Sequence, residues 1–333
     1  MRLFILLTLA LGLCANLKAQ KDHQVIFEMA TSAASFDYDQ LVDFAEEQLT
    51  EEEDIARFFY YWIGQNITYD FTTAVFGLEN GLTAKETQPD FVIRHKKATC
   101  TGYTNLYSTF LSYFGILHRT VLGYSRHQSN LLEQIPPVLD HAWSAIYLNG
   151  KWQLVDVSWA NGFIDSPMMR DHYFLTSPKA FINDHLPVDE EWFLGAEKIG
   201  LKDFERQPFI NVPYFGLTQK AVIRPKFSKT NQGEWVVELD DIKGLNLKLL
   251  AIETTGKAAK SLKYKKKKNK ADRSIRFVLR NYEPGDLLRL DALHVGQNSQ
   301  VTNFIGLAYL AHPDWQWPKT EEFRQFSTKQ NRH

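Results

Sequence analysis

Three residues of the types used in nucleophilic catalysis occur along the chain in the order Cys100, His141 and Asp156. A cysteine thiolate can attack a carbonyl carbon, a histidine can take the thiol proton, and a carboxylate can orient the imidazole and hold its useful tautomer. In this combination the three residues predict a thiol nucleophile site. The alternative for Cys100 is a structural one, since a free cysteine often behaves as a small buried hydrophobic side chain.

The first 19 residues have the pattern of a signal peptide. A basic residue precedes an apolar run from Leu3 to Leu13, and the small residue Ala19 stands at the cleavage position. We therefore expect an exported protein, periplasmic or secreted, in which Cys100 is the remaining cysteine. A lipoprotein anchored through Cys14 is disfavoured because a bulky leucine stands where a small residue would be expected.

A helix is predicted to position the thiol. Apolar residues recur at helical spacing from Cys100 to Phe114, and Gly115 is a suitable stop. Cys100 would lie in the first turn on the inward face of this helix, where the N-terminal N–H groups favour a thiolate.

A β-hairpin is predicted to position the histidine and the carboxylate. Asn149-Gly150 separates two β-rich runs between residues 141 and 157, and this dipeptide favours a two-residue loop that fixes the register. In that register His141 opposes Ser158. His141 and Asp156 become diagonal neighbours on one face of the strand pair, with Cα atoms about 7–8 Å apart.

The composition is that of a globular protein, with 44% hydrophobic residues and a formal net charge of −1 over 333 residues. This composition excludes wholesale disorder, and the charge balance argues against an overall field for nucleic acid. The length suits two domains of about 100–200 residues. After residue 208 the sequence changes to short β-like runs separated by turns, which predicts a sandwich-type domain with strands over Glu234–Leu239, Leu245–Ile252, Ser274–Leu279, Leu287–Val295 and Val301–Leu310.

Several segments together resemble the transglutaminase-like superfamily. The run Ala98-Thr-Cys100-Thr-Gly102-Tyr103 is similar to the nucleophile segment of that family, and the two strands of the hairpin are similar to its histidine and aspartate strands. Residues 171–192 resemble its kyphoscoliosis-peptidase-like subgroup, and the leader suggests a bacterial exported type. The resemblance implies a papain-like α+β fold with Cys100 as nucleophile, His141 as acid and base, and Asp156 as the residue that orients His141.

The expected fold class is α+β, with a papain-like transglutaminase core of helices packed on an antiparallel sheet, followed by a β-sandwich-like C-terminal domain. We expect a signal peptide over residues 1–19 and a transglutaminase-like domain over 20–200. A β-rich, immunoglobulin-like domain is expected over 208–315, and a polar tail over 316–333.

The function favoured by the sequence is an exported enzyme that acts on amide bonds of a protein or peptide through an acyl-enzyme. Hydrolysis is favoured over protein cross-linking because water is the default acceptor of the acyl group. The alternative is a non-catalytic module that binds protein or polysaccharide on a transglutaminase-like scaffold.

Weaker signals are interpreted structurally. The lysine-rich segment Lys263–Lys270 could bind a cell-envelope polymer, but a solvated loop between strands is favoured. His172, Asp184 and His185 are interpreted as polar loop residues rather than metal ligands. The indole of Trp62 is considered as a second oxyanion donor, with a core position as the more ordinary interpretation. We expect no cofactor, no bound metal, no nucleic-acid partner and no transmembrane helix in the mature chain.

Overall fold

The computed structural model of the chain describes residues 21–74, 85–127, 138–218, 225–240, 246–252, 260–261, 263–269, 274–280, 282, 287–295 and 302–310. The predicted signal peptide, Cys14, Lys270 and the predicted polar tail lie outside the described residues. The chain divides into two compact units. Unit 1 comprises residues 1–119, 146–151 and 157–164, and unit 2 comprises residues 120–145, 152–156 and 165–333.

Unit 1 is mainly helical. Its helices are α1 (His23–Ser32), α2 (Tyr38–Gln48), α3 (Glu52–Asn66), α4 (Pro89–His95), α5 (Cys100–Tyr113) and α6 (Val157–Ala160). Two short strands, β1 (Thr68–Tyr69) and β2 (Lys97–Ala98), pair in parallel. No helix among the described residues of the chain has the length and apolar character needed to cross a membrane.

The core of unit 1 is aromatic and holds α5 against α3. Every residue of α3 from Asp54 to Gly64 is buried. Phe59 of α3 stacks on Phe110 of α5 with ring centroids 4.0 Å apart. The Tyr107 hydroxyl donates a hydrogen bond of 3.1 Å from α5 to the carbonyl oxygen of Ala56. Apolar burial and buried hydrogen bonds therefore fix the helix that begins at the predicted nucleophile.

The predicted helix that begins at Cys100 is confirmed. Helix α5 ends at Tyr113, with Phe114 as its C-cap, and Gly115 follows with a φ of 70°. This left-handed backbone favours glycine, so the stop signal in the sequence is the residue that the turn requires.

An antiparallel five-stranded sheet, most of whose residues belong to unit 2, carries the predicted hairpin. Its strands are β3 (His118–Ser125), β4 (His141–Leu148), β5 (Lys151–Val155), β6 (Phe174–Thr176) and β7 (His185–Pro187), in the spatial order β6-β5-β4-β3-β7. Asn149 and Gly150 join β4 to β5 with φ values of 54° and 77°. Positive φ at both positions is the geometry of a type I′ turn, so the predicted two-residue loop is confirmed.

The predicted strand through Val157 is wrong at its end. Strand β5 stops at Val155, and helix α6 begins at Val157, so Ser158 does not face His141 on a strand. The pairing of β5 with β6 shifts register between Leu154 and Val155. Such an irregularity bends the strand and re-aims the side chains that follow it, here that of Asp156.

Short helical segments and β8 connect this sheet to the C-terminal strands. They are α7 (Pro178–Phe181), a 3₁₀ turn (Glu190–Phe193), α8 (Leu201–Arg206), β8 (Phe209–Ile210) and α9 (Val212–Thr218). The C-terminal strands are β9 (Lys226–Lys229), β10 (Trp235–Asp240), β11 (Asn246–Ile252), β12 (Lys260–Ser261), β13 (Tyr264–Asn269), β14 (Ser274–Leu279), β15 (Leu287–Val295) and β16 (Thr302–Leu310).

The C-terminal strands form two sheets, as the sequence predicts. Their orders are β13-β14-β10-β9 and β12-β11-β15-β16-β8. One buried core takes residues from both sheets, including Val237 and Phe277 from the first and Leu288 and Leu310 from the second. Two sheets that share one apolar core form a sandwich. The boundaries of the expected domains stay a prediction.

The interpretation of the lysine-rich segment as a loop is wrong for its described residues. Residues 264–269 form β13, which lies at the edge of the four-stranded sheet. Lys265 pairs with Val278 and Lys267 with Arg276, and both lysines are exposed. Lysines on an edge strand hinder pairing with a strand of another chain, which gives these residues a structural purpose.

Gly123 on β3 lies where no side chain fits. An added Cβ would overlap the carbonyl oxygen of Leu186 and the ring of Trp143. We therefore expect Gly123→Ala to lower the free energy of unfolding by at least about 2 kcal/mol, because overpacking forces neighbouring atoms apart. Urea unfolding followed by circular dichroism measures this loss.

Gly162→Ala is the matched control. Its Cβ would meet only the carbonyl oxygen of Trp159, at 3.7 Å. We expect this variant to be unchanged or more stable by up to about 1 kcal/mol, because alanine reduces the freedom of the unfolded chain. Equal losses in the two variants would contradict the steric argument at Gly123.

Candidate functional site

Cys100 is the first residue of α5 in unit 1, and 9% of it is exposed. The preceding Thr99 is the N-cap, and its side chain makes no capping hydrogen bond. The first N–H groups of a helix stabilise a negative charge, so this position favours a thiolate. A helix N-terminus is one of the environments in which reactive cysteines are found.

Gly102 explains why the first turn of α5 can approach the preceding segments so closely. A Cβ at this position would lie 2.9 Å from the Cβ of Ala98 and 3.3 Å from a methyl group of Val92. The glycine in the Cys-Thr-Gly motif therefore has a packing role.

His141 and Asp156 are brought together in unit 2. His141 is the first residue of β4, and Asp156 follows the last residue of β5. The Nε2 atom of His141 lies 2.7 Å from Oδ2 of Asp156, and both residues are buried. The hairpin predicts this pairing, and the irregularity before Asp156 is compatible with it. The catalytic role of Cys100, His141 and Asp156 stays a prediction.

A second histidine shares the same carboxylate. The Nε2 atom of His185 lies 2.8 Å from Oδ2 of Asp156, and its Nδ1 atom lies 2.6 Å from Oδ1 of Asp184. The hydroxyl of Tyr173 donates to Oδ2 of Asp184 at 2.9 Å. We call these five buried residues, His141, Asp156, His185, Asp184 and Tyr173, the His–Asp network.

The interpretation of His185 as a polar loop residue is wrong, whereas Asp184 does lie in a turn. His185 begins β7 and is fully buried, and Asp184 is 2% exposed. No spacing rule links these residues to Asp156, which is 29 positions from His185.

The pKa values in the network follow from burial and opposite charge. Burial opposes ionisation of Asp156, but the charges of His141 and His185 and their hydrogen bonds outweigh it and hold its pKa well below the usual range. Burial alone would lower the pKa of His185, but the carboxylates of Asp184 and Asp156 raise it above its ordinary value. Both shifts favour the charged forms, the carboxylate of Asp156 and the imidazolium of His185.

Three residues of the network could also hold a metal ion, since one donor atom each from His141, Asp156 and His185 lies within 4.8 Å of the others. The contacts of Asp156 with the two imidazoles, 2.7 and 2.8 Å, have the length of hydrogen bonds. Two ligands of a tetrahedral zinc ion, with bonds of about 2.0–2.1 Å, lie about 3.3 Å apart. We therefore interpret the cluster as a hydrogen-bonded network.

Two other residues considered from the sequence have structural positions. The Nε1 atom of Trp62 donates to the carbonyl oxygen of Ala33 at 2.8 Å, so this indole belongs to the core and is not an oxyanion donor. The ring of His172 packs on Tyr173 and Phe215, and burial lowers the pKa of His172 to about 4. His172 is therefore neutral at pH 7.

Part of the chain is similar in sequence to known proteins. Residues 40–157 match the sequence model of the transglutaminase-like superfamily. Human kyphoscoliosis peptidase is 32% identical over 181 residues, which cover 51% of this chain and 26% of that protein. Hillarin of Drosophila melanogaster is 30% identical over 146 residues, which cover 38% of this chain and 18% of that protein. A crystal structure of a TGase is 20% identical, covers 46% of this chain and 36% of that one, and has a TM-score of 0.29.

The matched stretch, residues 40–157, is similar to the transglutaminase-like superfamily. It contains Cys100, His141 and Asp156, and its helices and antiparallel sheet, followed by C-terminal strands that form sheets, confirm the expected fold class. This chain spans about a quarter of the length of the kyphoscoliosis peptidases that it matches.

Asp156→Asn tests the importance of the shared carboxylate. An asparagine oxygen in the place of Oδ2 can still accept from both histidines, but the buried imidazoles lose the opposite charge that Asp156 supplies. We expect the free energy of unfolding at pH 7 to fall by about 3–5 kcal/mol. Because the pKa of Asp156 is depressed in the folded state, its contribution is present above about pH 4 and is lost as the pH falls further.

Asp140→Asn is the control for this experiment. Asp140 is exposed and accepts hydrogen bonds from the backbone and hydroxyl groups of Ser125. We expect Asp140→Asn to lower the free energy of unfolding by about 1 kcal/mol, since water can replace the lost hydrogen bond at this exposed position. Urea titrations at several pH values measure the free energy of unfolding of wild type and of Asp156→Asn. The difference between these two free energies should become smaller below about pH 4, and a difference that stays constant with pH would contradict the charge argument.

Proposed function

We propose that this protein is a cysteine-nucleophile enzyme that cleaves amide bonds through an acyl-enzyme. In this proposal Cys100 is the nucleophile, His141 is the acid and base, and Asp156 orients His141. The observation that carries it is the buried 2.7 Å hydrogen bond between His141 Nε2 and Asp156 Oδ2. Because this bond occupies Nε2, the proposal gives Nδ1 of His141 the exchange of a proton with the thiol.

The proposed reaction has two halves. The proton of the Cys100 thiol passes to Nδ1 of His141, and the sulfur attacks the amide carbonyl carbon. The tetrahedral intermediate collapses to a thioester while His141 gives its proton to the leaving amine. Water then attacks the thioester and gives a proton to His141. The second tetrahedral intermediate breaks its C–S bond and releases the carboxylic acid, and His141 returns the proton to the sulfur of Cys100. The backbone N–H of Cys100 would be one donor to the oxyanion.

Hydrolysis is proposed rather than transfer to a second amine. Water needs no dedicated acceptor site, and relatives of this chain include proteins named as peptidases. The proposed substrate is therefore a protein or peptide. A peptidase or amidase and a protein cross-linker share the same acyl-enzyme and differ only in the molecule that resolves it.

We further propose that the enzyme is exported and works in the periplasm or outside the cell. The support is the leader pattern over residues 1–19, which lie outside the described residues. A cysteine enzyme in such a compartment would meet envelope or extracellular peptides.

The test of the chemistry uses the fact that only one cysteine follows the leader. We expect iodoacetamide to alkylate Cys100 rapidly at pH 6.5 and His141→Ala to slow this reaction at least about tenfold, since an ordinary thiol with a pKa of about 8.5 is only about 1% ionised there. Cys100→Ala should lower hydrolysis of peptide and glutamine-amide substrates about a thousandfold or more.

His95→Ala is the matched control, because His95 is an exposed histidine on α4 whose ring stacks on Phe91. Its alkylation rate should equal that of the wild type. A slow thiol that is indifferent to His141 would contradict the proposal and favour a non-catalytic binding module.

A cell-envelope polymer is proposed as a second partner, through the exposed lysines of the edge strand β13. Lys265 and Lys267 share one face of the sheet with Arg276, which places three cationic side chains together. We expect the double variant Lys265→Glu and Lys267→Glu to elute from an alginate column at clearly lower salt than the wild type. The double variant Lys179→Glu and Lys202→Glu has the same net charge, and its exposed lysines lie on α7 and α8 rather than on this sheet. It should elute close to the wild type, and equal shifts would contradict a local site.

A further inference from the structure

We propose that His185 is a positioning residue for the proton transfer. Held as an imidazolium between Asp184 and Asp156, it fixes the carboxylate that orients His141. Its positive charge also limits how strongly that carboxylate raises the proton affinity of His141. The inference rests on the proposed function, in which His141 exchanges a proton with Cys100. It adds a second, buried histidine to the machinery, one that touches no reacting atom.

The hydrogen bonds of His185 define its protonation state. Its Nδ1 atom lies 2.6 Å from a carboxylate oxygen of Asp184, and its Nε2 atom lies 2.8 Å from one of Asp156. An ionised carboxylate can only accept, so both ring nitrogens must donate, and an imidazole that donates from both nitrogens is an imidazolium. The raised pKa of His185 agrees with this assignment.

The carboxylate of Asp156 is fixed by its two imidazole donors and by its own backbone. Oδ2 of Asp156 accepts from His141 and from His185, and the backbone N–H of Asp156 donates to the carbonyl oxygen of Tyr173 at 2.9 Å. The Tyr173 hydroxyl in turn donates to Asp184, which holds His185. These bonds form a closed ring, so Asp156 cannot turn away from His141 without breaking a bond elsewhere in the ring.

Packing holds the imidazole of His185 in place. One face stacks on the ring of Phe181 with centroids 4.1 Å apart, and Trp143 meets it edge-on at 5.1 Å. The absence of a side chain at Gly123 leaves room for that tryptophan. The ring therefore has little freedom to rotate away from either carboxylate.

The charge of His185 affects the basicity of His141. The two imidazole rings lie 5.2 Å apart, so the charged His185 repels a proton on His141, while Asp156 attracts it. A base tied to a buried carboxylate alone would hold its proton too firmly, and a base works best with a pKa near the working pH. His185 thus moderates the base that Asp156 orients.

Among the described residues, the ionisable groups that interact electrostatically with members of the network include Arg126, His172 and His127. Arg126 is buried and interacts electrostatically with Asp184, and it donates to the carbonyl oxygens of Phe204 and Gln207. Burial lowers the pKa of both His172 and His127, with Asp184 and Asp140 acting in the opposite direction. Of these groups and His185, it is His185 that makes a direct hydrogen bond to Asp156, on the same oxygen that accepts from His141.

The test is a titration of the His141 ring by NMR in the full chain with isotope-labelled histidine. His185→Gln keeps a side-chain N–H for Asp156 but loses the charge, and we expect it to raise the pKa of His141 by about one unit, a tenfold change in proton affinity. Asp184→Asn, a smaller change in shape, should shift the pKa in the same direction because it removes a charge that keeps His185 protonated. His172→Gln is the matched control, since it removes a nearby histidine that is neutral at pH 7, and it should leave the titration unchanged.

Cys100→Ala separates the two proposals. If the thiol exchanges a proton with His141, this variant changes the titration of His141. If only the proposed function fails, Cys100→Ala has no effect while His185→Gln still shifts the pKa. The role of His185 is overturned if His185→Gln and Asp184→Asn, both checked for folding by circular dichroism, change stability or rate without moving the pKa of His141. If His185→Gln does not fold, Asp184→Asn decides the result.

Discussion

The structure of the candidate site depends on one buried carboxylate, Asp156. Its Oδ2 atom accepts hydrogen bonds from His141 and His185, and its backbone N–H is bonded to Tyr173. A carboxylate buried without partners would be protonated or would destabilise the fold. Here two histidines keep it ionised, and it fixes the orientation of both rings. The same charge pairing therefore sets both the orientation of His141 and the stability of this part of the sheet.

The thiol is positioned by a different physical principle. Helix α5 is held by aromatic packing and buried hydrogen bonds to α3, and Gly102 lets its first turn approach β2 closely. The fold thus places Cys100 at a helix N-terminus through apolar burial, while it places His141 and Asp156 through a strand pair and charge. These two ways of positioning a residue explain why the sequence carries both an aromatic helix pattern and an Asn-Gly hairpin.

The C-terminal strands show how a charge pattern can be misinterpreted from sequence. A run of lysines suggests a solvated loop, yet the described part of this run is the edge strand β13. Alternation along a strand exposes Lys265 and Lys267 on one face and brings them beside Arg276. The pairing of β13 with β14 is set by apolar residues of the neighbouring strand, so the lysines follow a register that they do not determine.

The sequence by itself determined the local features of this protein: the helix from Cys100, the type I′ turn at Asn149-Gly150, the C-terminal strands, and the pairing of His141 with Asp156. Each depends on periodicity or on a short loop, which act over a few residues. Only the tertiary structure decided the irregular end of β5 and the arrival of His185 and Asp184 at Asp156. His185 begins β7, and Asp156 follows β5, which lies three strands away in the sheet. No local pattern in the sequence encodes which buried polar groups will meet across such a distance.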